Sequence, residues 1–382
     1  MFETSHIEIS KSALKNNLAF IREQIGNDIK LSSVVKGNAY GHSIEKFVPL
    51  AEKLGIDHFS VFAANEAYEV LNSRKNEYSK IMIMGMITNN ELEWAIKNKV
   101  EFYVFEPDRL QAAVRIAEKL GTPAHVHVNV ETGMNRIGFE KNQIDEVIKF
   151  LKSDNIEFVG LCTHFAGAES IANYFRVRNQ MIKFRKMKKS FKREGLIPKY
   201  FHCASSAATM NYPKARFNMV RVGILQYGLW PSSETLIHYL SKQKSRKNPL
   251  RRIISWKSSV MNTKKVKVGQ FVGYSNFYLA QDDVQIAVIP VGYANGYSRS
   301  LSNQGSVIIN GYKAKVIGIV NMNMLIVDIT DIPKVNKGDE VILIGSQGQQ
   351  EITISAFGES TDQMNYESLA RLPKSIPRKI VN

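Results

Sequence analysis

A lysine at the end of an apolar segment is the first residue of this chain that could carry out covalent chemistry. Lys36 ends the apolar part of VVKGNAYGHS (residues 34–43) and is followed by small residues. Partial burial beside an apolar strand lowers the pKa of an amine and raises its nucleophilicity, as covalent catalysis by lysine requires. The alternative is an ordinary strand-end lysine whose amine reaches solvent.

Three further polar residues follow apolar segments in the same way. Arg136 lies between two glycines in ETGMNRIG (residues 131–138), an arrangement typical of a tight loop that presents a guanidinium group. His164 follows the apolar segment that ends at Cys162, and Ser206 lies in a segment of small residues. Each has an ordinary alternative, because arginines are mostly surface or ion-paired residues and a single histidine is often structural.

These side chains must be positioned by the strands that precede them, and eight such strands alternate with helical patterns. The predicted strands are residues 31–35, 58–62, 80–86, 100–105, 124–130, 157–162, 199–203 and 219–222. The helices predicted between them include residues 45–54, 91–97, 107–120 and 143–152. Eight successive βα units indicate a (β/α)8 TIM barrel rather than an open, doubly wound sheet.

The pattern changes after a basic segment at residues 241–252. Beyond it we predict strands without long helices between them, at residues 256–261, 285–290, 306–309, 315–320, 325–329 and 341–344. Turn signals such as Asn310-Gly311 separate these strands. The predicted fold class is therefore α/β, with an N-terminal TIM-barrel domain at residues 1–240 and a mostly β C-terminal domain at residues 241–382. Residues 1–10 are predicted to form an extra strand of either domain.

The loops after the seventh and eighth barrel strands are the usual phosphate site of this fold. Here they carry Ser206, whose hydroxyl can donate a hydrogen bond, and Gly223, which allows a ligand to approach the backbone closely. A strand-end lysine together with a phosphate site matches pyridoxal phosphate, which offers an aldehyde to the lysine and a phosphate to the loops.

Composition limits the classes of protein that need to be considered. The chain has 382 residues, of which 44% are hydrophobic and 23% charged, as in globular proteins of two domains. No apolar segment is long enough to cross a bilayer and no secretion signal is recognisable, so we expect a cytoplasmic protein without a membrane partner. The net charge of +16 comes with no nucleic-acid-binding motif, and no nucleic-acid partner is predicted. Two cysteines lack metal-ligand spacing, and no metal is predicted.

Eight segments, in order along the chain, resemble the alanine racemase family. They are VVKGNAYGHS (34–43), VNVETGMNRIGF (128–139), CTHFAGA (162–168), ASSAAT (204–209), FNMVRVGILQYG (217–228), FVGYSNFY (271–278), VIPVGYANGY (288–297) and IVNMNMLIVD (319–328). The lysine segment alone also resembles basic amino-acid decarboxylases with the same type of barrel. Its combination with the tyrosine segment at residues 271–278 makes the resemblance to the racemases specific.

The resemblance implies a pyridoxal-phosphate enzyme that interconverts L- and D-alanine with two bases and supplies D-alanine for bacterial cell-wall peptidoglycan. Lys36 would bind the cofactor covalently and act as one base, and Tyr274 from the partner subunit of a homodimer would act as the other. The remaining cofactor residues implied are Tyr40, Ser206, Gly223 and Ile224 at the phosphate, and Arg221 at the pyridine nitrogen with His164 supporting it. The substrate residues implied are Arg136, Met322 and Tyr293.

Three positions depart from the common pattern of the family. Asn129 stands where many members have a carbamylated lysine, Asn323 where an aspartate is frequent, and Lys374 where many have a tyrosine. Whether an anion replaces the carbamate is left open by the sequence. We expect Lys374 to turn toward the phosphate, because a buried lysine needs an anion.

Two rival functions remain open at this stage. One is a racemase of serine, of basic amino acids or of a broader range of amino acids on the same scaffold. The other is a carrier or regulatory protein that binds pyridoxal phosphate without catalysis, although small relatives of that kind lack the β domain and its tyrosine. We favour alanine as the substrate, with slower turnover of serine.

Overall fold

The chain folds into two compact units, and the computed structural model describes residues 3–359 and 365–382. The β unit combines Met1–Ser12, Asn38–Lys46 and Arg252–Asn382. The barrel unit combines Ala13–Gly37 and Phe47–Arg251. The loop after Lys36 therefore belongs to the β unit, although the strand before it belongs to the barrel.

The strands are numbered along the chain, and their bounds are β1 (Ser5–Ser10), β2 (Lys30–Val34), β3 (His58–Val61), β4 (Lys80–Ile83), β5 (Glu101–Val104), β6 (Ala124–Asn129), β7 (Ile156–Cys162), β8 (Tyr200–His202), β9 (Met219–Val222), β10 (Ile254–Ser259), β11 (Asn262–Val266), β12 (Val284–Ile289), β13 (Ser306–Ile309), β14 (Tyr312–Lys315), β15 (Leu325–Asp328), β16 (Glu340–Gln347), β17 (Gln350–Ile352) and β18 (Arg378–Val381).

The helices are α1 (Lys11–Ile25), α2 (Lys36–Tyr40), α3 (Ile44–Lys53), α4 (Ala64–Ser73), α5 (Asn89–Lys97), α6 (Pro107–Leu120), α7 (Ile144–Leu151), α8 (Tyr174–Arg193), α9 (Ser206–Asn211), α10 (Ser233–Leu240), α11 (Ser355–Glu359) and α12 (Asn365–Ala370). Short 3-10 helices lie at Lys141–Gln143, Ile171–Asn173, Pro213–Ala215, Ile224–Tyr227, Tyr293–Asn295 and Arg299–Leu301.

Eight parallel strands form the sheet of the barrel unit, in the order β8-β7-β6-β5-β4-β3-β2-β9. The sheet nearly closes, and the Arg221 N–H of β9 donates to the Ala204 carbonyl just after β8 at 2.9 Å. Each of the eight strands predicted from the sequence overlaps one of these, so the TIM-like barrel is confirmed.

Local signals explain why the helices of the barrel begin and end where they do. Helix α6 starts at Pro107 and ends before Gly121, whose φ of 58° lets its N–H bond to Ala117 O. Helix α5 begins with a capping box between Thr88 and Glu91. The basic segment at residues 241–252, all of it described, forms neither helix nor strand.

The β unit contains two sheets. The larger has the order β14-β13-β16-β10-β1-β18, with β17 on β16, and the smaller is β11-β12-β15. Strand β1 joins distant parts of the chain, because it pairs antiparallel with β10 and parallel with β18. Trp256 and Tyr297 are almost fully buried in the core of this unit. The predicted C-terminal domain is thus mostly β, as expected.

One predicted strand of the β unit was wrong. Residues 315–320 are not a strand, because the strand ends at Lys315. Asn310 and Gly311 both have positive φ (51° and 83°), so a two-residue turn returns the chain at once from β13 into β14. The prediction recognised this turn but placed the returning strand too late.

No helix in the described part of the chain combines the length and the apolar character required to span a bilayer.

Candidate active site

Lys36 is placed by hydrogen bonds at the end of β2. The Val34 carbonyl accepts from Gln226 Nε2 at 3.0 Å and from Tyr227 Oη at 2.9 Å, and these partners are fully buried. The Glu66 carboxylate accepts from Gly37 N–H at 2.6 Å. The backbone on both sides of Lys36 is therefore fixed.

The Lys36 side chain reaches solvent, yet its electrostatic surroundings are those of a reactive amine. Desolvation by the surrounding protein and the positive charge of Arg136 both lower the pKa of Lys36, while Glu66 opposes them. A lowered pKa makes more of the amine available in its neutral, nucleophilic form. The geometry therefore agrees with the reactive interpretation of this lysine.

The residues of α2 after Lys36, together with Gly41, form a left-handed turn. The φ angles of Gly37, Asn38, Ala39, Tyr40 and Gly41 are 63°, 54°, 54°, 50° and 81°, which is the left-handed helical region. That conformation costs roughly 1–2 kcal/mol for each residue with a Cβ atom, so three non-glycine residues in succession are a strained segment. Strain of this kind is typical of functional sites, and none of the sequence patterns predicted it.

Contacts within the β unit hold this turn. A Cβ atom on Gly41 would lie 2.0 Å from the Leu369 carbonyl oxygen, so only glycine fits there. The buried Arg378 donates to the Gly41 carbonyl from Nε at 3.1 Å and from a terminal nitrogen at 2.9 Å. The Tyr40 ring packs edge-on against Tyr366, with centroids 6.1 Å apart.

His42, which closes the turn, makes the stability of the fold dependent on pH. The ring is fully buried, and burial lowers the pKa of His42 to about 4, although its Nδ1–H donates to the Ala39 and Tyr40 carbonyls. The unfolded chain binds this proton near pH 6.5, so acidification below that value favours unfolding until pH 4 is passed. From this histidine we expect the free energy of unfolding to fall by about 2 kcal/mol between pH 7 and pH 5.

Urea unfolding at both pH values, on wild type and on His42→Asn, checks this expectation. The variant keeps an N–H donor but cannot titrate, so its loss of stability between pH 7 and pH 5 should be smaller by that amount. Equal losses in the two proteins would show that His42 is not the source.

The loop that carries Arg136 is organised by Glu131. Its carboxylate accepts hydrogen bonds from the backbone N–H groups of Gly133, Met134 and Asn135, the last at 3.0 Å. Arg136 is consequently presented from a defined loop, as the two flanking glycines indicated. Asn129, at the end of β6, is buried, and a Cβ atom on Gly138 would lie 3.1 Å from its Oδ1.

Arg221 is buried on β9 and held by three hydrogen bonds. One terminal nitrogen contacts His202 Nδ1 and donates to the His202 carbonyl at 2.9 Å, and the other donates to the Thr163 carbonyl at 2.9 Å. The resemblance assigned the supporting role to His164. Among the described residues, however, it is the His202 ring and not the His164 ring that hydrogen-bonds Arg221.

His164 nevertheless lies in the same electrostatic cluster. Burial, followed by the positive charges of Arg221, Arg136 and Lys36, lowers the pKa of His164 to about 3. The ring is therefore neutral near pH 7. The barrel unit thus brings together Lys36, Arg136, His164 and Arg221, which lie far apart in the sequence.

The predicted phosphate loops also meet in the barrel unit. Gly223 N–H donates to Ser206 Oγ at 3.0 Å, and both residues are buried. Because Ser206 accepts this bond, its own hydroxyl hydrogen remains for another acceptor. Ile224 follows directly and begins a short 3-10 helix. Thr209 Oγ1, on α9, is buried without a hydrogen-bond partner within the described chain.

The remaining predicted residues lie in the β unit. Tyr293 and Met322 are on contacting segments, since Tyr293 N–H donates to Asn321 O at 3.0 Å and Ala294 N–H donates to Met322 O at 2.9 Å. Tyr274 lies between Phe271 and Leu279, which form an isolated bridge, and its side chain is 72% exposed.

Two substituted positions of the family pattern are exposed in this unit. Asn323 is on the surface, and so is Lys374. The prediction that Lys374 turns toward the phosphate was based on burial. Lys374 is exposed here, so burial gives no reason for that orientation, and its turn toward the phosphate stays a prediction.

His202 is the main residue of the site that the sequence interpretation missed. It ends β8 as His164 follows β7, so its position at a strand end was a usable signal. Residues 3–359 and 365–382 contain no group of three or more histidine, cysteine, aspartate or glutamate side chains that could hold a metal ion.

Comparisons with known proteins agree along the whole chain. The family model described as alanine racemase, N-terminal domain, matches residues 9–231, and the model for the C-terminal domain matches residues 253–380. The alanine racemase of Leptospira interrogans is 34% identical over 382 residues, covering 99% of this chain and 96% of the relative.

Solved structures of alanine racemases are also similar to this chain. The alanine racemase of Clostridium difficile 630 has a TM-score of 0.92 and 30% identity, covering 100% of this chain and 96% of its own. The alanine racemase of Bartonella henselae, described with covalently bound pyridoxal phosphate, has a TM-score of 0.82 and 24% identity, with 100% of each chain covered. At that identity the second structure supports the fold alone.

Proposed function

Because the chain belongs to the alanine racemase family and is an isomerase that interconverts L- and D-alanine, we propose that it does so with pyridoxal phosphate held at Lys36. The observation that carries this proposal is the cluster of Lys36, Arg136, His164 and Arg221 beside the Ser206–Gly223 contact. When bound, the cofactor withdraws electrons from the substrate α-carbon and so makes the α-proton removable.

The residues of the barrel unit fit this cofactor. Lys36 offers an amine with a lowered pKa for the aldehyde. Ser206 offers a free hydroxyl hydrogen, and the backbone at Gly223 and Ile224 lies beside it. We propose these residues, together with Tyr40, as the phosphate anchors.

Arg221 fits the position at the pyridine nitrogen. A guanidinium group has five N–H donors, and the described residues occupy three of them. Two donors therefore remain for an acceptor on a ligand. Because arginine donates and keeps its protons, Arg221 would leave a cofactor ring nitrogen facing it unprotonated. That would moderate the electron withdrawal by the cofactor and disfavour side reactions such as transamination.

We assign the two proton transfers to Lys36 and to Tyr274 of the partner subunit in a homodimer. Racemisation removes a proton from one face of the α-carbon and returns one to the other, so two bases on opposite faces suit the task. The exposed Tyr274 loop supports the dimer, because Phe271, Phe277 and Leu279 on the same loop are 50%, 56% and 40% exposed. An exposed apolar loop of this kind is typical of an interface.

The substrate side is assigned to Arg136, Met322 and Tyr293. Arg136 supplies a cation for the substrate carboxylate, and Met322 and Tyr293 lie on contacting segments of the β unit. We further propose that the reaction takes place in the cytoplasm and supplies D-alanine for cell-wall peptidoglycan. The match of residues 253–380 to the C-terminal domain of the family argues against the carrier alternative, since small carriers lack that domain.

Alanine is expected to be the best substrate in a racemisation assay across a panel of L-amino acids with added cofactor. One added hydroxyl or methylene changes discrimination by about 1–3 kcal/mol, so we expect serine to have a roughly 10- to 200-fold lower kcat/KM. Lysine and arginine should be slower still. A higher kcat/KM for either basic amino acid than for alanine would overturn the substrate assignment and leave the site chemistry standing.

A further inference from the structure

A chain of buried polar side chains crosses the interior of the barrel and ends at Arg221. The Glu101 carboxylate on β5 lies 2.8 Å from His127 Nε2 on β6, and His127 Nδ1 lies 2.8 Å from His202 Nε2 on β8. His202 Nδ1 contacts Arg221 on β9. All four residues are at most 5% exposed. The interior of such barrels is usually filled by branched apolar side chains, so a continuous polar chain needs an explanation.

The chemistry of its two ends fixes the direction of every hydrogen bond in this chain. Arginine only donates, so His202 Nδ1 must be unprotonated and accept. A carboxylate only accepts, so His127 Nε2 must carry a proton and donate to Glu101. With both rings neutral, His202 Nε2–H then donates to His127 Nδ1. Each N–H in this chain therefore points toward Glu101, and both His127 and His202 carry their proton on Nε2.

The glycine at position 160 makes this chain possible. Strand β7 lies between β6 and β8, and Gly160 is the register partner of His127. A Cβ atom at Gly160 would lie 2.0 Å from His127 Nδ1, the atom that accepts from His202. The φ angle of Gly160 is outside the left-handed region, so its backbone would accept alanine and the only obstacle is the histidine ring.

His58 is, besides His127, the other histidine in contact with the Glu101 carboxylate. His58 Nε2 lies 3.2 Å from the same Glu101 oxygen, and His58 Nδ1 lies 2.9 Å from Ser32 Oγ. Burial alone would raise the pKa of Glu101, but the hydrogen bonds from His127 and His58 hold it well below its usual range. Glu101 is therefore a buried negative charge, separated from Arg221 by two neutral rings.

We propose that Glu101, His127 and His202 are positioning residues for racemisation, which balance the charge of Arg221 from a distance and fix its guanidinium as an N–H donor. A carboxylate in direct contact would engage the guanidinium through two N–H groups at once. The His202 ring engages a single nitrogen and leaves donors for a ligand. This inference rests on the proposed function, since that function assigns Arg221 to the cofactor.

The first test observes the histidine rings themselves by 15N NMR of protein with labelled histidines. Spectra are recorded with and without added pyridoxal phosphate, and the rings are assigned through His127→Gln and His202→Gln. We expect His127 and His202 to be neutral with the proton on Nε2 from pH 6 to pH 8. A cationic His202, or one protonated on Nδ1, overturns the proposed direction of the chain. Failure of the wild type to bind the cofactor would overturn the proposed function instead.

The second test blocks the chain without removing any polar group. Gly160→Ala should displace His127 Nδ1, shift the His202 resonances and lower kcat at least 10-fold, with the KM for alanine changed less than 3-fold. Val159→Ile is the matched control, because it also adds one carbon to β7 but at the neighbouring residue, which clusters with Tyr200 and Met219 in the core. Equal effects of both variants, or wild-type kcat and resonances in Gly160→Ala, would overturn the proposal.

Glu101→Gln keeps the test decisive if Gly160→Ala does not fold. Glutamine retains an oxygen acceptor for both histidines but removes the negative charge. The uncompensated Arg221 should then depress the pKa of Lys36 further, so the acidic limb of the kcat/KM profile should move to lower pH. A purely structural role of Glu101 would leave that limb in place, and an unchanged profile would therefore count against the proposal.

Discussion

Replacing Lys36 with alanine is expected to abolish both the racemase activity and the visible absorbance of protein mixed with pyridoxal phosphate. The wild type should absorb at about 420 nm, where the cofactor absorbs when it is joined to a lysine amine. The variant lacks the amine that we propose as the attachment point and as one base. Loss of a positioned base alone costs about 10²- to 10⁴-fold, and loss of the attachment adds to it. Absorbance spectra and a coupled racemisation assay measure both effects.

Two further variants separate covalent chemistry from charge. Lys36→Arg retains the positive charge but has no amine for the aldehyde, so it should be as inactive and as colourless as Lys36→Ala. Lys30→Ala removes another lysine from the same strand segment, one that pairs with Asp57 at 2.7 Å and is partly exposed. It should lose at most about 1 kcal/mol of stability and keep its absorbance. A coloured, active Lys36→Arg would refute the assignment of Lys36.

Mixing two inactive variants is expected to restore activity if Tyr274 serves the barrel of the partner subunit. Tyr274→Phe alone should lower kcat by about 10²- to 10⁴-fold, since it removes one base and no contact area. After subunit exchange in an equal mixture with Lys36→Ala, half of the dimers carry one chain of each kind. Each such dimer has one intact site of two, so about a quarter of the wild-type activity should return.

A mixture that regains no activity is informative only if the subunits have exchanged and the activity of each variant alone is known. Exchange is confirmed by native mass spectrometry with one variant carrying a heavy-isotope label, and each variant incubated alone gives the baseline. Activity that stays at the baseline after confirmed exchange would mean that both bases belong to one chain. Activity in a Tyr274→Phe preparation comparable to wild type would remove the tyrosine from the reaction altogether.

Much of the fold could be predicted because its signals are local. Each barrel strand is a short apolar segment, and helix α6 is bounded by Pro107 and Gly121, whose conformational preferences act within one turn. The Asn310-Gly311 turn was likewise recognisable from two residues. Strand β18 was not predicted, because only its pairing with β1, more than three hundred residues earlier in the chain, makes that segment a strand.

The residues of the site likewise fall into two groups. Some are indicated by their neighbours in the sequence, and others are determined by contacts between distant segments. Lys36, Arg136 and Ser206 could be proposed from strand-end position and neighbouring small residues. The partner of Arg221 could not, because His202 and His164 both occupy strand ends and only the three-dimensional packing selects between them. Nor could the left-handed turn, since Asn38 alone among its non-glycine residues is of a type that often adopts positive φ, and alanine and tyrosine rarely do.

The hydrogen bonds between Gly41 and Arg378 join positions 337 residues apart, which has a consequence for synthesis on the ribosome. At about 5–20 residues per second, roughly 17–70 s pass between the emergence of the two partners. The left-handed turn beyond Lys36 must wait for that interval, although the strand before it can already pair with its neighbours. A nascent chain therefore carries its reactive lysine long before the turn is secured, and catalytic competence is expected to begin only with the last strand.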